Sequence, residues 1–151
     1  MSSEIKARIL DDVKTAMRAK DKPRLGILRL VTAALKQREV DERIELDDAG
    51  TIEILVKLVK QRKDSIEQYT AAKREDLAEQ ERMELALIET YLPTAFGDDE
   101  LNAMLDEAFA ATGADTMKDM GKVMGWMKPK IQGRADMGAL SAKIKARLST
   151  A

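Results

Sequence analysis

The sequence contains no cysteine and no histidine, and aromatic side chains make up only 3% of its 151 residues. Without cysteine there is no disulfide, no thiolate nucleophile and no thiolate metal ligand. Without histidine the chain lacks the commonest general base and the commonest metal ligand of proteins. No phosphate-binding glycine loop and no nucleophile–base pair takes their place. We therefore expect no catalytic residue, no metal site and no cofactor.

Long apolar runs and strand patterns are also missing. No segment approaches the roughly 20 apolar residues of a membrane span, and no run alternates between apolar and polar residues as a strand would. The first residues, "MSSEIKARILDD", are charged throughout and do not resemble a secretory signal. The abundant Ala, Leu, Met, Glu, Lys and Arg favour helix. We expect an all-α protein that stays off the membrane and lies in the cytoplasm.

Apolar residues recur every three or four positions through the first 92 residues, which predicts four helices. The predicted helices span about 3–20, 23–40, 49–71 and 76–91. Candidate capping residues are Ser2 or Ser3 and Asp47 or Asp48, and we expect Asp76 or Glu75 to open the fourth helix. Pro23 suits the first turn of the second helix, where its missing N–H costs nothing.

The segment "YLPTAFGDDE" marks the best domain boundary, because Pro93 disfavours helix at Leu92. We predict a four-helix N-terminal domain over 1–92 and a three-helix C-terminal tail domain over 96–151. The tail helices are expected at 98–111, from a capping box at Thr116, and after a capping residue at Asp136. Gly113 suits the end of the first of them.

The stretch "KDMGKVMGWMKPKIQGRAD", residues 118–136, mixes helix formers with helix breakers. Apolar residues spaced 3, 4, 3 and 4 predict an amphipathic helix that turns a stripe to the core; they are Met117, Met120, Met124, Met127 and Ile131. Pro129 and Gly133 would end this helix. Gly121 and Gly125 lie four apart on one face, which permits close approach of another helix or of a phosphate backbone.

The net charge of −1 conceals an uneven distribution. Residues 93–115 hold six acids and no base, whereas residues 116–151 hold eight bases and two acids. Such asymmetry is evidence about partners rather than about fold. The candidate nucleic-acid-binding residues are Lys122, Lys128, Lys130, Arg134, Lys143, Lys145 and Arg147, with Gly121, Gly125 and Gly133 as close-approach glycines. The alternative is an ordinary solvated face.

Four motifs in order resemble the YqeY family: "KLVKQRKDSIEQY", "ELALIETYLP", "KDMGKVMG" and "KIQGRAD". The segment from about residue 96 also resembles the tail domain of the B subunit of the glutamine-dependent aspartyl/glutamyl-tRNA amidotransferase. The residues that carry this second resemblance are Gly121, Lys122, Val123, Met124, Gly133, Arg134 and Ala135. One departure is "YTAAKRED", where many relatives place a glycine.

The resemblance implies a two-part helical protein whose tail contacts tRNA, or a tRNA-bearing synthetase or amidotransferase complex. Three functions follow as hypotheses. The chain could be a tRNA-binding or tRNA-associated protein without its own catalytic site. It could be an accessory component of a tRNA amidotransferase, a carbon–nitrogen ligase that takes its amide nitrogen from glutamine. It could instead be a protein–protein adaptor built on residues 1–92, which carry 18 basic and 19 acidic residues.

Overall fold

A computed structural model describes residues 2–131 and 133–149, and within these ranges the chain forms seven α-helices, one 3₁₀ turn and no strand. The all-α prediction is confirmed. The helices are α1 (Glu4–Arg18), α2 (Lys22–Glu42), α3 (Asp48–Ala71), α4 (Glu75–Glu89), α5 (Asp98–Thr112), α6 (Met120–Ile131) and α7 (Met137–Ser149). Among the described helices, none has the length and apolar character needed to cross a membrane.

The chain divides into two compact units, Met1–Leu92 and Pro93–Ala151. We call them the first unit and the second unit. The first contains α1 to α4, and the second contains α5 to α7 and the 3₁₀ turn. The division falls at Pro93, in the segment where the sequence loses its helical pattern.

Side-chain caps begin most helices of the first unit. Ser3 Oγ accepts a hydrogen bond from the Lys6 backbone N–H at 3.1 Å, and the Asp47 carboxylate caps α3 by accepting one from Gly50. The exception is α4, where Arg74 occupies the capping position without a side-chain bond. Glu75 nevertheless opens α4, as the sequence predicts, and Asp76 follows it. Both acids lie inside the first turn, where the helix dipole favours them.

Buried aliphatic side chains from all four helices, with Leu46 from the α2–α3 connection, form the core of the first unit. The most fully buried are Ile9, Leu28, Leu35, Leu46, Leu55 and Ile88. Met17, although in register with the buried face of α1, is 52% exposed. An exposed large apolar side chain of this kind marks a candidate contact surface.

Three helices of the first unit end in the left-handed conformation without glycine. Lys20, Arg43 and Lys73 have φ of 54°, 55° and 58°. Lys73 lies within "YTAAKRED", the segment that departs from the family pattern by lacking a glycine. The departure places a lysine in a backbone conformation that costs L-residues about 1–2 kcal/mol and glycine almost nothing.

The second unit begins its helices with the residues that the sequence indicates, but Pro129 does not end α6: it lies inside the last turn, and the helix continues to Ile131. Gly113 ends α5 with φ 64°. Thr116 and Asp119 form the predicted capping box, which opens the 3₁₀ turn Met117–Asp119 and leads directly into α6. Asp136 caps α7 by accepting a hydrogen bond from the Ala139 N–H at 2.9 Å.

The core of the second unit contains most of the predicted stripe. Its buried members on α6 are Val123, Met127 and Ile131, while Met120 and Met124 are partly buried against them. Met117 is 47% exposed and does not belong to this core. It lies in the 3₁₀ turn, whose three residues per turn shift it away from the face that the α-helical spacing predicts.

Candidate nucleic-acid interface

The two glycines of α6 face outward. Gly121 and Gly125 are both exposed, and no neighbouring atom lies within 4 Å of the position that a Cβ would occupy on either. Close packing of another helix against this face, one of the two alternatives, does not occur among the described residues. Each glycine costs the free helix about 0.5–1 kcal/mol relative to alanine, and no packing in the second unit offsets that cost.

Two lysines extend this glycine face. Gly121, Gly125 and Lys128 follow one another at spacings of 4 and 3 on one side of α6, and Lys118 lies three positions before Gly121, in the 3₁₀ turn. We call these four residues the glycine stripe; it is about 15 Å long at 1.5 Å per residue. Lys118 and Lys128 are exposed and have no hydrogen bond or ion pair with any described residue. Lys122 flanks the stripe, 67% exposed and 3.6 Å from Asp119.

Arg134 has a structural role in the turn after α6. Its Nε donates to the Thr94 carbonyl at 2.7 Å, and its guanidinium lies 3.8 Å from the ring centroid of Phe96. The Phe96 N–H donates in return to the Arg134 carbonyl at 2.8 Å. Gly133, with φ 79°, lets the chain turn at this point. Arg134 thus ties the start of the second unit to the α6–α7 turn.

The α7 bases face α5 rather than the glycine stripe. Lys143 Nζ is 3.6 Å from an Asp98 carboxylate oxygen, and Arg147 donates to Asp106 at 2.6 Å. The acidic segment and the basic segment therefore neutralise each other in part. Residues 93–151 as a whole carry no net charge. The basic excess acts as a local surface rather than as the charge of the whole unit.

The structure thus divides the seven predicted binding residues into three sets. Lys122, Lys128 and Lys145 are exposed, and the last two have no partner among the described residues. Lys130 lies 3.9 Å from the ring centroid of Trp126. The others, Arg134, Lys143 and Arg147, hold contacts within the unit. A nucleic-acid role for these seven remains a prediction.

Lys118 is not among the seven predicted binding residues, although its spacing to the glycines can be seen in the sequence. It precedes Gly121 by three positions, the spacing that places two residues on one helix face. The capping box on either side of Lys118, formed by Thr116 and Asp119, contains an ionised carboxylate. Backbone N–H groups of Asp115 and Thr116 donate to Asp119 and lower its pKa to about 2. The start of α6 therefore carries a fixed negative charge beside the stripe.

Metal ligands do not converge at this surface or elsewhere in the described ranges. No group of three or more acidic side chains in residues 2–131 and 133–149 is arranged to hold a metal ion. The chemistry that the second unit offers is therefore that of lysine side chains and an accessible backbone surface.

Comparison with known proteins gives consistent matches. The sequence profile of a family described as "Yqey-like protein" matches residues 6–148. The chain is 32% identical over 142 residues to "Altered inheritance of mitochondria protein 41, mitochondrial" of Pyrenophora tritici-repentis, covering 91% of this chain and 77% of that protein. The protein of the same name from Lachancea thermotolerans is 31% identical over 151 residues, with 95% and 81% covered. That of Vanderwaltozyma polyspora is 32% identical over 143 residues, with 90% and 77% covered.

The names of these relatives contradict the expected cytoplasmic location. All three are named as mitochondrial proteins, so they point to mitochondria rather than to the cytoplasm. The expectation rested on the charged first residues and the lack of an apolar run, neither of which distinguishes one aqueous compartment from another.

Proposed function

The chain belongs to the Yqey-like protein family, and from this premise we propose that its second unit binds RNA through the glycine stripe. The resemblance of the tail to the amidotransferase B subunit indicates tRNA as the RNA class. In this proposal the chain is a tRNA-associated helical protein without its own catalytic site. Lysines and exposed helix backbone make the contact.

The open glycine face carries the proposal. Gly121 in the first turn of α6 and Gly125 in its middle weaken the helix, and the residues around them leave the backbone accessible. An RNA backbone could approach more closely here than at any helix face covered by side chains. Lys118 and Lys128, at the two ends of the stripe, would then reach phosphates on either side of the contact.

Recognition through the RNA backbone also fits the aromatic residues of the second unit. Phe96, Phe109 and Trp126 each have a cation over the ring, at 3.8, 5.7 and 3.9 Å from the centroid. All three are also partly buried. They form no open stacking platform of the kind that single-stranded RNA requires. Phosphate contacts should therefore dominate, with shape rather than base sequence determining preference.

A salt-dependent titration tests the lysines. A tRNA mixture is titrated with the full chain at about 50 and about 200 mM salt, using Lys118→Ala with Lys128→Ala as the variant. Loss of two phosphate contacts should weaken binding at low salt and reduce the slope of log affinity against log salt by about two. Lys130 and Arg134 are left unchanged because they contact Trp126 and Thr94.

The matched control for this titration is Lys57→Ala with Lys60→Ala, which removes two exposed lysines from α3. This control changes the net charge by the same amount but leaves the second unit untouched. Its binding should stay within about twofold of the wild type, as expected for lysines that make no phosphate contact. Equal losses in the two variants would reject the stripe as the contact.

A second experiment separates binding from stability. Gly121→Ala with Gly125→Ala should stabilise α6, by about 0.5–1 kcal/mol per site, because each methyl group enters open space. The same methyl groups should weaken tRNA binding by blocking close approach. Gly26→Ala, also in an exposed helical position with no neighbour, should stabilise the chain and leave binding unchanged. Wild-type affinity in the Gly121/Gly125 variant would contradict close approach.

A further inference from the structure

An open groove of about 470 Å³ lies between α1 and α2 in the first unit. The two helices are joined by three residues and so form an antiparallel hairpin. The groove is lined mostly by carbon, from apolar residues and from the stems of long cationic side chains. Those that matter below are Lys6, Leu10, Arg29, Ala33, Lys36 and Glu39.

An exposed apolar strip runs along this groove and continues past both ends. Leu10 is 43% exposed and Met17 is 52% exposed, and their seven-residue spacing places them on one face of α1. On α2, Ala33 of the groove and Val40, which is 59% exposed, have the same spacing. The α1 side alone, from Lys6 to Met17, is about 16 Å long, about three turns of a helix.

The cations around the strip differ in whether an acidic side chain pairs with them. Lys6 is neutralised by Glu39, which it contacts at 2.7 Å. Arg29 and Lys36 line the same groove, and the side chains of both lack any hydrogen bond or ion pair with the described residues. The groove therefore combines an apolar floor with two cations that form no ion pair with the described residues.

We propose that this groove docks an amphipathic acidic helix of a partner protein. Apolar side chains of that helix would pack on Leu10 and Ala33, and its carboxylates would pair with Arg29 and Lys36. Helix-in-groove binding uses an apolar stripe at helical spacing, and the strip on α1 and α2 has the matching length and spacing. This interaction does not depend on RNA binding by the second unit.

Two features of the groove favour a peptide over RNA or a small anion. The floor of the groove is mostly apolar, and an RNA backbone gains nothing from an apolar floor. The exposure of Leu10 and Ala33 leaves the groove open along its length. A small molecule would remain largely in water there, whereas a helix would cover the strip.

The test uses a fluorescein-labelled synthetic helix of about 18 residues, long enough to cover the groove. Leucines occupy one face and glutamates the other, and a scrambled peptide of the same composition has no apolar face. Fluorescence anisotropy with the full chain should show binding of the amphipathic peptide only. Arg29→Glu with Lys36→Glu should weaken this binding by about tenfold or more, as paired charges at an interface do.

Two variants guard against a general charge effect or a folding failure. Lys57→Glu with Lys60→Glu makes the same charge change on α3 and should alter affinity by no more than about twofold. Ala33→Trp places a bulky ring in the groove at an exposed position; it should abolish binding while the circular dichroism spectrum stays unchanged.

Four results would overturn the proposal. The amphipathic peptide could fail to bind the wild type, or the scrambled peptide could bind equally well. The Lys57/Lys60 variant could lose as much affinity as the Arg29/Lys36 variant. Finally, Arg29→Glu with Lys36→Glu could reduce tRNA binding and leave peptide binding intact, which would make the groove a nucleic-acid site.

Discussion

The most deeply buried ion pairs between helices lie in the first unit. Lys6 of α1 contacts Glu39 of α2 at 2.7 Å, and the Glu39 side chain is only 8% exposed. Lys143 of α7 pairs with Asp98 of α5 at 3.6 Å, and the Asp98 side chain is 86% exposed. The difference teaches that similar pairs of charges can have two roles. In the first unit the pair holds two helices together, and in the second it neutralises one lysine while other lysines stay accessible.

The largest expected effect comes from removing the cation of each pair while keeping its length. Lys6→Met leaves the Glu39 carboxylate nearly buried with only the Leu46 N–H, 2.9 Å away, among its present donors. We expect a loss of about 1.5–3 kcal/mol, the range for a hydrogen bond to a charged group. Lys143→Met should cost no more than about 1 kcal/mol, as for exposed pairs. Urea denaturation of both variants measures the difference.

The stability that the Lys6–Glu39 pair contributes should depend on pH, and the sign of this dependence is defined. The hydrogen bond from Lys6, helped by that from Leu46, holds the pKa of Glu39 below its ordinary value. A lowered pKa in the folded state gives stability that is present above the unfolded value and is lost as the pH falls through the folded one. In Lys6→Met the acid-induced loss should shrink. Equal urea midpoints for the Lys6 and Lys143 variants would remove the distinction between the units.

Local chemistry made most helix boundaries predictable from the sequence. Ser3, Asp47 and Asp136 cap helices as expected, and Gly113 ends one. Each of these signals depends on one side chain and the backbone of its own turn, so no distant contact can change it. The start of α4 follows from the same kind of signal, because Glu75 and Asp76 lie in its first turn, where the helix dipole favours acids.

The candidate site was less predictable, because its character depends on contacts between helices. Spacing places Gly121 and Gly125 on one face, but only the folded unit shows that this face is open. Charge counting groups Lys143 and Arg147 with the other bases, although α5 supplies acids to both. Periodicity likewise places Met17 on the buried face of α1, whereas the folded unit leaves it 52% exposed and buries the adjacent Ala16.

Helix ends provide a second, smaller contrast between the units. The second unit places Gly113 at a left-handed position with φ 64°, whereas the first unit places Lys73 at one with φ 58°. Gly113→Ala should therefore destabilise its unit by about 1 kcal/mol, with no steric contribution because no atom lies within 4 Å. Lys73→Gly should stabilise its unit by less, since glycine gains entropy in the unfolded chain. Thermal unfolding of both variants gives the two signs, and a common sign would contradict the backbone explanation.

The smallest expected effect concerns the capping box of the second unit at acid pH. Backbone hydrogen bonds from Asp115 and Thr116 lower the pKa of Asp119 from 3.8 to about 2. Its contribution to stability should be complete above pH 3.8 and should disappear as the pH falls through about 2.

Because the only tryptophan of the chain, Trp126, lies on α6, its fluorescence reports on this unit. In Asp119→Asn the urea midpoint measured by tryptophan fluorescence should depend less on pH below 4 than in the wild type. The stability that Glu39 contributes to the first unit should keep its pH dependence, which hydrogen exchange can follow. Parallel acid curves for Asp119→Asn and the wild type would show that the capping carboxylate does not stabilise the start of α6.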